Sequence, residues 1–97
     1  MRIIARRSLL EFSTKHADAK GALNEWWHIV KRADWKNPQD IKNIMPKASI
    51  IADNRVVFNI CGGSYRLIVK FNYQYGGGWV RFIGTHAEYD KIDATKI

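Results

Sequence analysis

Residues Arg81 to Lys91 place a guanidinium, an imidazole, a phenol, carboxylates and an ammonium within one short stretch, Arg81-Phe82-Ile83-Gly84-Thr85-His86-Ala87-Glu88-Tyr89-Asp90-Lys91. Histidine is the natural acid or base near neutral pH. Arginine offers a planar fork of donors that fits a phosphate and keeps its charge. The spacing predicts a strand that turns at Gly84-Thr85 and runs into a short polar helix. On such a helix His86 and Tyr89 or Asp90, three and four residues apart, share a face. A base, an acid and fixed positive charge are what proton transfer at a phosphate requires. The same residues would also suit a strand end and a helix that caps a sheet, with Tyr89 packed on the core and Asp90 paired with Lys91 or an arginine.

Cations upstream strengthen the first reading. From Arg55 onward the apolar pattern repeats every second residue, as in half-buried strands. Val56, Phe58, Leu67, Val69, Phe71, Val80 and Phe82 then point to one face. Arg55, Asn59, Arg66, Lys70 and Arg81 point to the other, with Val57, Ile68 and Ile83. Cations on neighbouring strands of one face repel unless an anion sits among them. Arg66, Lys70 and Arg81 are therefore a candidate anion platform. The alternative is a solvated face that Lys and Arg protect.

The elements that must carry these residues are readable in order. Residues 2–5 form a first strand. A helix begins at Arg6 or Ser8, with Leu9, Leu10 and Phe12 on one face, and stops at His16-Ala17-Asp18. Asp18 is placed to cap a second helix over about Ala19 to Asp34, whose stripe is Leu23, Trp26, Trp27 and Val30. Asn37-Pro38 starts a short third helix, with Asn37 as cap and Pro38 at its first position. Ile41, Ile44 and Met45 form its buried side, and Pro46 ends it. Ser49 to Ala52 adds a small strand, and Asp53-Asn54 is a turn. Three strands follow, joined at Cys61-Gly62-Gly63-Ser64 and at Tyr75-Gly76-Gly77-Gly78, the last running from Trp79 to Thr85. The expected fold is α+β: an N-terminal strand and helical hairpin packed on a three- to four-stranded antiparallel sheet, with a short C-terminal helix.

Composition bounds the function. The 97 residues make one domain, 1–97, and the 46% apolar and 26% charged shares are those of a soluble globule. Sixteen Lys and Arg against nine Asp and Glu give a formal charge of +7, which favours a polyanionic partner. The basic residues are dispersed, so a folded surface rather than a tail carries the charge. The apolar runs are too short for a bilayer, and no signal peptide is visible, so the cytoplasm is the expected location. A single cysteine, Cys61, permits no internal disulfide and suits a reducing interior.

Other motifs point away from other chemistries. No Cys pair, zinc-protease motif or carboxylate cluster predicts a metal site, and no cofactor is expected. His16 and His28 read as ordinary surface residues. Trp26, Trp27 and Trp35 read as core, while Trp79, after the glycines, reads as partly exposed. Gly76-Gly77-Gly78 lacks the helix and the Lys-Ser/Thr of a phosphate loop. Cys61 has no His and Asn partners nearby in sequence that would mark it as a nucleophile.

The segments Asn54-Arg55-Val56-Val57-Phe58-Asn59-Ile60, Tyr65-Arg66-Leu67-Ile68-Val69 and Thr85-His86-Ala87-Glu88-Tyr89-Asp90-Lys91-Ile92, with Ala33-Asp34-Trp35-Lys36-Asn37-Pro38, resemble the HigB family of bacterial toxins, part of the wider RelE-like group of small basic ribonucleases. The likeness spans nearly the whole chain, and His86-x-x-Tyr89-Asp90 is its most specific part. It implies a RelE-like fold, cleavage of mRNA on the translating ribosome, and neutralisation by a HigA-type helix-turn-helix antitoxin. Combined with the residue reading, it implies that Arg66, Arg81, His86, Tyr89 and Asp90 are catalytic. Lys70, Lys91, Arg55 and Asn59 would bind RNA, whose 2′-hydroxyl serves as nucleophile without a metal. The competing reading is a non-catalytic basic module that binds RNA or an acidic protein. That module would have no need of the His86-to-Asp90 group.

Overall fold

The centre of the fold is an antiparallel pair, β3 (Arg55–Ile60) and β4 (Tyr65–Asn72), in a computed structural model that describes residues 1–97. Around it stand β1 (Arg2–Ile4), β2 (Ser49–Ile51) and β5 (Gly77–Thr85) in one five-stranded sheet of order β1-β5-β4-β3-β2. The helices are α1 (Arg6–Lys15), α2 (Lys20–Arg32), α3 (Pro38–Ile44) and α4 (His86–Tyr89). The architecture is α+β, as expected, but the sheet is mixed: β1 runs parallel to β5, with Arg2 opposite Gly77. The short β2 completes the other edge, joined to β3 through Asp53 and Asn54, both at positive φ (59° and 61°). Two such residues give the tight turn whose twist matches a hairpin.

One face of the sheet makes the main core. Leu9 and Phe12 of α1, Leu23, Trp26 and Val30 of α2, Ile41 of α3 and Trp35 pack on Val56, Phe58, Ile60, Tyr65, Leu67, Val69 and Phe71. The aromatic rings meet edge to face, Trp26 on Phe58 and Trp35 on Phe71, the arrangement their quadrupoles favour. Trp27 sits at the margin of the core, with the Arg6 guanidinium 3.6 Å and the Lys31 ammonium 4.6 Å from its ring centroid. Asn37 caps α3 by accepting from the Asp40 amide at 3.2 Å, with Pro38 in the first turn.

Several expectations need correction. Asp18 lies inside a 3₁₀ turn, Ala17–Ala19, and does not cap α2; its carboxylate instead accepts from the Tyr65 hydroxyl. His16 is not a free surface residue, since it stacks on Phe12 and lies against Tyr65. Ile44 is 58% exposed, because α3 is too short to bury a second turn. Gly77 and Gly78 belong to β5 rather than to the turn. A Cβ at Gly78 would lie 2.9 Å from the Phe71 ring and from Val69, so the missing side chain lets β5 approach the core.

The largest correction concerns β5. Ile68 pairs with Phe82 and Val69 with Val80, which leaves Arg81 as the extra residue of a β-bulge. A bulge resets the two-residue alternation. Phe82 therefore faces away from the helices, opposite Ile68, and Ile83 packs on the core opposite Leu67. The outer face is also not an open cationic surface. Val57 and Ile68 lie there fully buried, outside the helix-side core, and the chain after β5 folds back over them.

Gly21 of α2 and Gly78 of β5 give opposite expectations. Gly78→Ala should cost about 1–3 kcal/mol of stability in denaturant unfolding, because the Phe71 ring must move. Gly21 of α2 is exposed with open space around it, so Gly21→Ala should stabilise the fold by about 0.5–1 kcal/mol in the same assay.

Candidate functional site

Arg66 and Tyr89 define the site from opposite sides. Arg66 stands near the start of β4 on the outer face, flanked across the sheet by Asn59 of β3 and Gly84 of β5. Gly84 has no side chain to stand over it; a Cβ there would meet the Phe82 ring at 2.5 Å and Glu88 Oε1 at 3.2 Å. The preceding turn, Cys61 to Gly63, runs at positive φ through three residues (54°, 64° and 99°). It brings the Gly63 carbonyl back to accept a hydrogen bond from Arg66 Nη1. Tyr89 lies above, its ring centroid 5.8 Å from the guanidinium carbon and 6.5 Å from the Phe82 ring. Arg66 is half-buried, has no carboxylate partner, and leaves Nε and Nη2 without a hydrogen bond. A guanidinium fixed by a carbonyl and lying over an aromatic ring, with two donors free, is arranged to receive an anion.

The helix that carries Tyr89 is held by a capping box. Thr85 Oγ1 accepts from the Glu88 amide at 3.2 Å, and Glu88 Oε1 accepts from the Thr85 amide at 2.9 Å. Four residues would not stay helical alone; the box and the bond from the His86 amide to the Ser64 carbonyl (3.1 Å) anchor them beside the β3–β4 turn. The Thr85 backbone amide, followed by its hydroxyl, holds the Glu88 carboxyl below its ordinary range. This Thr-x-x-Glu signature is visible in the sequence, and Glu88 is the contributing residue that the reading by chemistry passed over.

His86 opens α4 and Asp90 is its C-cap, with Nδ1 3.1 Å from Asp90 Oδ2 and both side chains exposed. When the Nδ1 proton points to Asp90, Nε2 is left as the basic nitrogen. His86, Tyr89 and Asp90 thus lie at the same end of the sheet as Arg66, and of the three it is Tyr89 that meets Arg66; Asn59 is exposed alongside and Lys91 just beyond α4.

Arg81 does not join them. It reaches the outer face from the bulge, three residues before Gly84, which at strand rise is roughly 10 Å from the level of Arg66. There its Nε donates to the Ile97 backbone oxygen at 3.3 Å. Arg55, only 4% exposed, donates to the same oxygen and to Asp53. Lys70 also donates to Asp53, at 3.0 Å. The bonds from Lys70 and then Arg55 hold the Asp53 carboxyl below its usual range. The protein itself therefore supplies the negative partners for Arg55 and Lys70, which the residue pattern alone left unpaired. Past Lys70 the surface dips into a hollow of about 380 Å³ lined by Asn54, Lys70, Asn72 and the half-exposed Trp79.

On the helix side, Tyr65 ties the site to the hairpin of α1 and α2. Its hydroxyl donates to the Asp18 carboxylate at 2.7 and 2.9 Å, a bond that, with burial, pushes the phenol up to about 12. Cys61 Sγ donates to the Asp18 carbonyl at 3.2 Å. No group of three or more His, Cys, Asp or Glu side chains is placed to hold a metal ion. No helix is long and apolar enough to cross a membrane.

Comparison with known proteins gives two matches. Residues 19–92 match the family model HigB_toxin, described as the RelE-like toxic component of a toxin-antitoxin system. The chain is also similar to a protein named mRNA interferase HigB from Escherichia coli O6:H1 (strain CFT073), at 26% identity over 94 residues, which cover 95% of this chain and 91% of that protein.

Acid should loosen α4 through Glu88. Its carboxyl is lowered from 4.5 in the folded state, so the unfolded chain binds more protons across that window. The contribution of the box is complete above the ordinary carboxyl value and is lost as the pH falls through the lowered one. In an NMR titration the Thr85 amide resonance should move with a midpoint below about 4.5, and Glu88→Gln should abolish that movement.

Proposed function

Because the chain belongs to the HigB family of RelE-like toxins, the toxic components of toxin-antitoxin systems, we propose that it is an endoribonuclease that cuts messenger RNA in the cytoplasm, on the translating ribosome, and so halts translation. The name of the Escherichia coli relative, mRNA interferase, supports the activity. The observation that carries the reading is Arg66: a half-buried guanidinium without a carboxylate, two donors free, against the ring of Tyr89, the residue that stands between His86 and Asp90 in the chain.

In this mechanism the RNA provides its own nucleophile. His86 Nε2 removes the proton of the 2′-hydroxyl, with Asp90 orienting the imidazole through Nδ1. The 2′-oxygen bonds to phosphorus as the bond to the 5′-oxygen breaks, and Arg66 stabilises the charge that builds on the phosphate oxygens. Tyr89 donates a proton to the departing 5′-oxygen. The products are a 2′,3′-cyclic phosphate and a free 5′-hydroxyl. Asn59 and Lys91 hold the strand at this end of the face. Arg81, Lys70 and Arg55 meet it farther along, beside the hollow at Trp79. The neutralising partner is a HigA-type helix-turn-helix antitoxin.

The test uses purified protein, an mRNA under translation, and the same mRNA without ribosomes. Cleavage should leave 2′,3′-cyclic ends, and a single 2′-deoxy nucleotide at the cut position should block it. Arg66→Ala should lower the cleavage rate roughly 100-fold or more, the scale of losing an oxyanion donor, with the fold intact by circular dichroism. His86→Ala should relieve the growth arrest that expression of the unaltered chain produces. Full cleavage by Arg66→Ala protein, or cutting of the 2′-deoxy substrate, would overturn the mechanism.

A further inference from the structure

Three N–H groups from two side chains converge on one backbone oxygen. Arg55 Nε and Nη2 lie 2.9 and 2.6 Å from the Ile97 oxygen, and Arg81 Nε lies 3.3 Å from it. Two guanidinium groups directed at one oxygen form a donor set that also fits an oxygen of a phosphate. Arg55 is almost wholly buried in the sheet, so two of the three donors are built in, and the exposed Arg81 supplies the third. The segment that answers it also carries an acid. Asp93 is held low first by the Thr95 hydroxyl and amide, and the positive charges of Lys96 and Arg55 add to this. The segment thus presents an oxygen to Arg55 and Arg81, as a nucleotide backbone would.

Residues Asp93–Ile97 share in covering the middle of the outer face but carry few hydrogen bonds to it. They belong to no helix or strand, and all are exposed or half-buried. Their internal bonds form a single turn on Asp93, which accepts from the amides of Thr95, Lys96 and Ile97. Every hydrogen bond from them to the sheet passes through the Ile97 oxygen.

We propose that Arg55 and Arg81 form a second phosphate subsite, for a backbone phosphate of RNA flanking the linkage held at Arg66, and that residues Asp93–Ile97 occupy it in the free protein and leave it when RNA binds. The inference rests on RNA being the ligand of the outer face. It does not require that the RNA be cut. Lys70, tied to Asp53 at the rim, steers the strand into the subsite.

The test reads binding alone, with a 2′-O-methyl RNA oligonucleotide, which offers no nucleophile, and fluorescence anisotropy over a range of salt. A chain ending at Ile92 should bind several-fold more tightly than the full chain, because no segment has to be displaced. Arg81→Ala should weaken binding in the full chain and flatten its logarithmic salt dependence by roughly 0.7, the value of one single-strand phosphate contact. In the intact protein, saturating RNA should quicken hydrogen exchange at the Lys96 and Ile97 amides; this readout decides the matter if the shortened chain does not fold. Equal or weaker binding by a folded shortened chain, an unchanged salt slope in Arg81→Ala, or unchanged exchange with RNA bound would each overturn the subsite. Cleavage in the earlier assay together with any of these results leaves the nuclease reading intact, and the expected results without cleavage would remove the nuclease reading alone.

Discussion

Backbone pairing of β4 between β3 and β5 is the constraint on which everything else leans. It sets Arg66 opposite Asn59 and Gly84, and Tyr65 opposite Ile60 and Thr85. With strands alternating between faces, Tyr65 must then face the helices and Arg66 must face away. One residue step thus separates a structural tether to Asp18 from a cation offered to the outer surface. The β3–β4 turn and the Thr85 capping box sit at the same end of the sheet, so two rigid devices converge on Arg66 rather than one.

The outer face reconciles two demands that conflict in a small domain. The chain needs the apolar area of Val57, Ile68 and Phe82 buried, and the same strands carry four cations. A buried charge without a partner is costly. The structure answers by pairing Arg55 and Lys70 with Asp53 and by closing the middle of the face with the segment after α4. Arg66 keeps free donors beside a half-buried aromatic ring, whereas Arg81, also without a carboxylate, lies exposed against the Ile97 oxygen. Uneven neutralisation, rather than the total charge of the chain, is what distinguishes Arg66.

Much of this was legible in the residues because local chemistry dictates it. The Asn37-Pro38 helix start, the strand period from Arg55 and the Asp53-Asn54 turn are short-range signals, and tertiary contacts agree with them. The gathering of His86, Tyr89 and Asp90 follows from helical spacing alone. What escaped depends on distant partners. A bulge at Arg81 leaves no mark in an alternating pattern, because Val80, Phe82 and Ile83 are apolar on either phase. The role of Asp18 could not be seen without Tyr65, 47 residues away. The extension of β5 back through Gly77 and Gly78 depends on β1 as its neighbour and on the bulk of Phe71. A glycine run reads as a turn until something large is known to lie against it.

The parallel pairing of β1 with β5 joins Arg2 to Gly77 across nearly the whole chain. During synthesis both amino-terminal helices are made long before the strands whose side chains complete their packing. Pairings so remote in sequence also close slowly, since loop entropy is lost before any contact repays it. A nascent chain therefore has no assembled outer face until β5 can pair with β4. Completion of the sheet thus waits until β5 has been made.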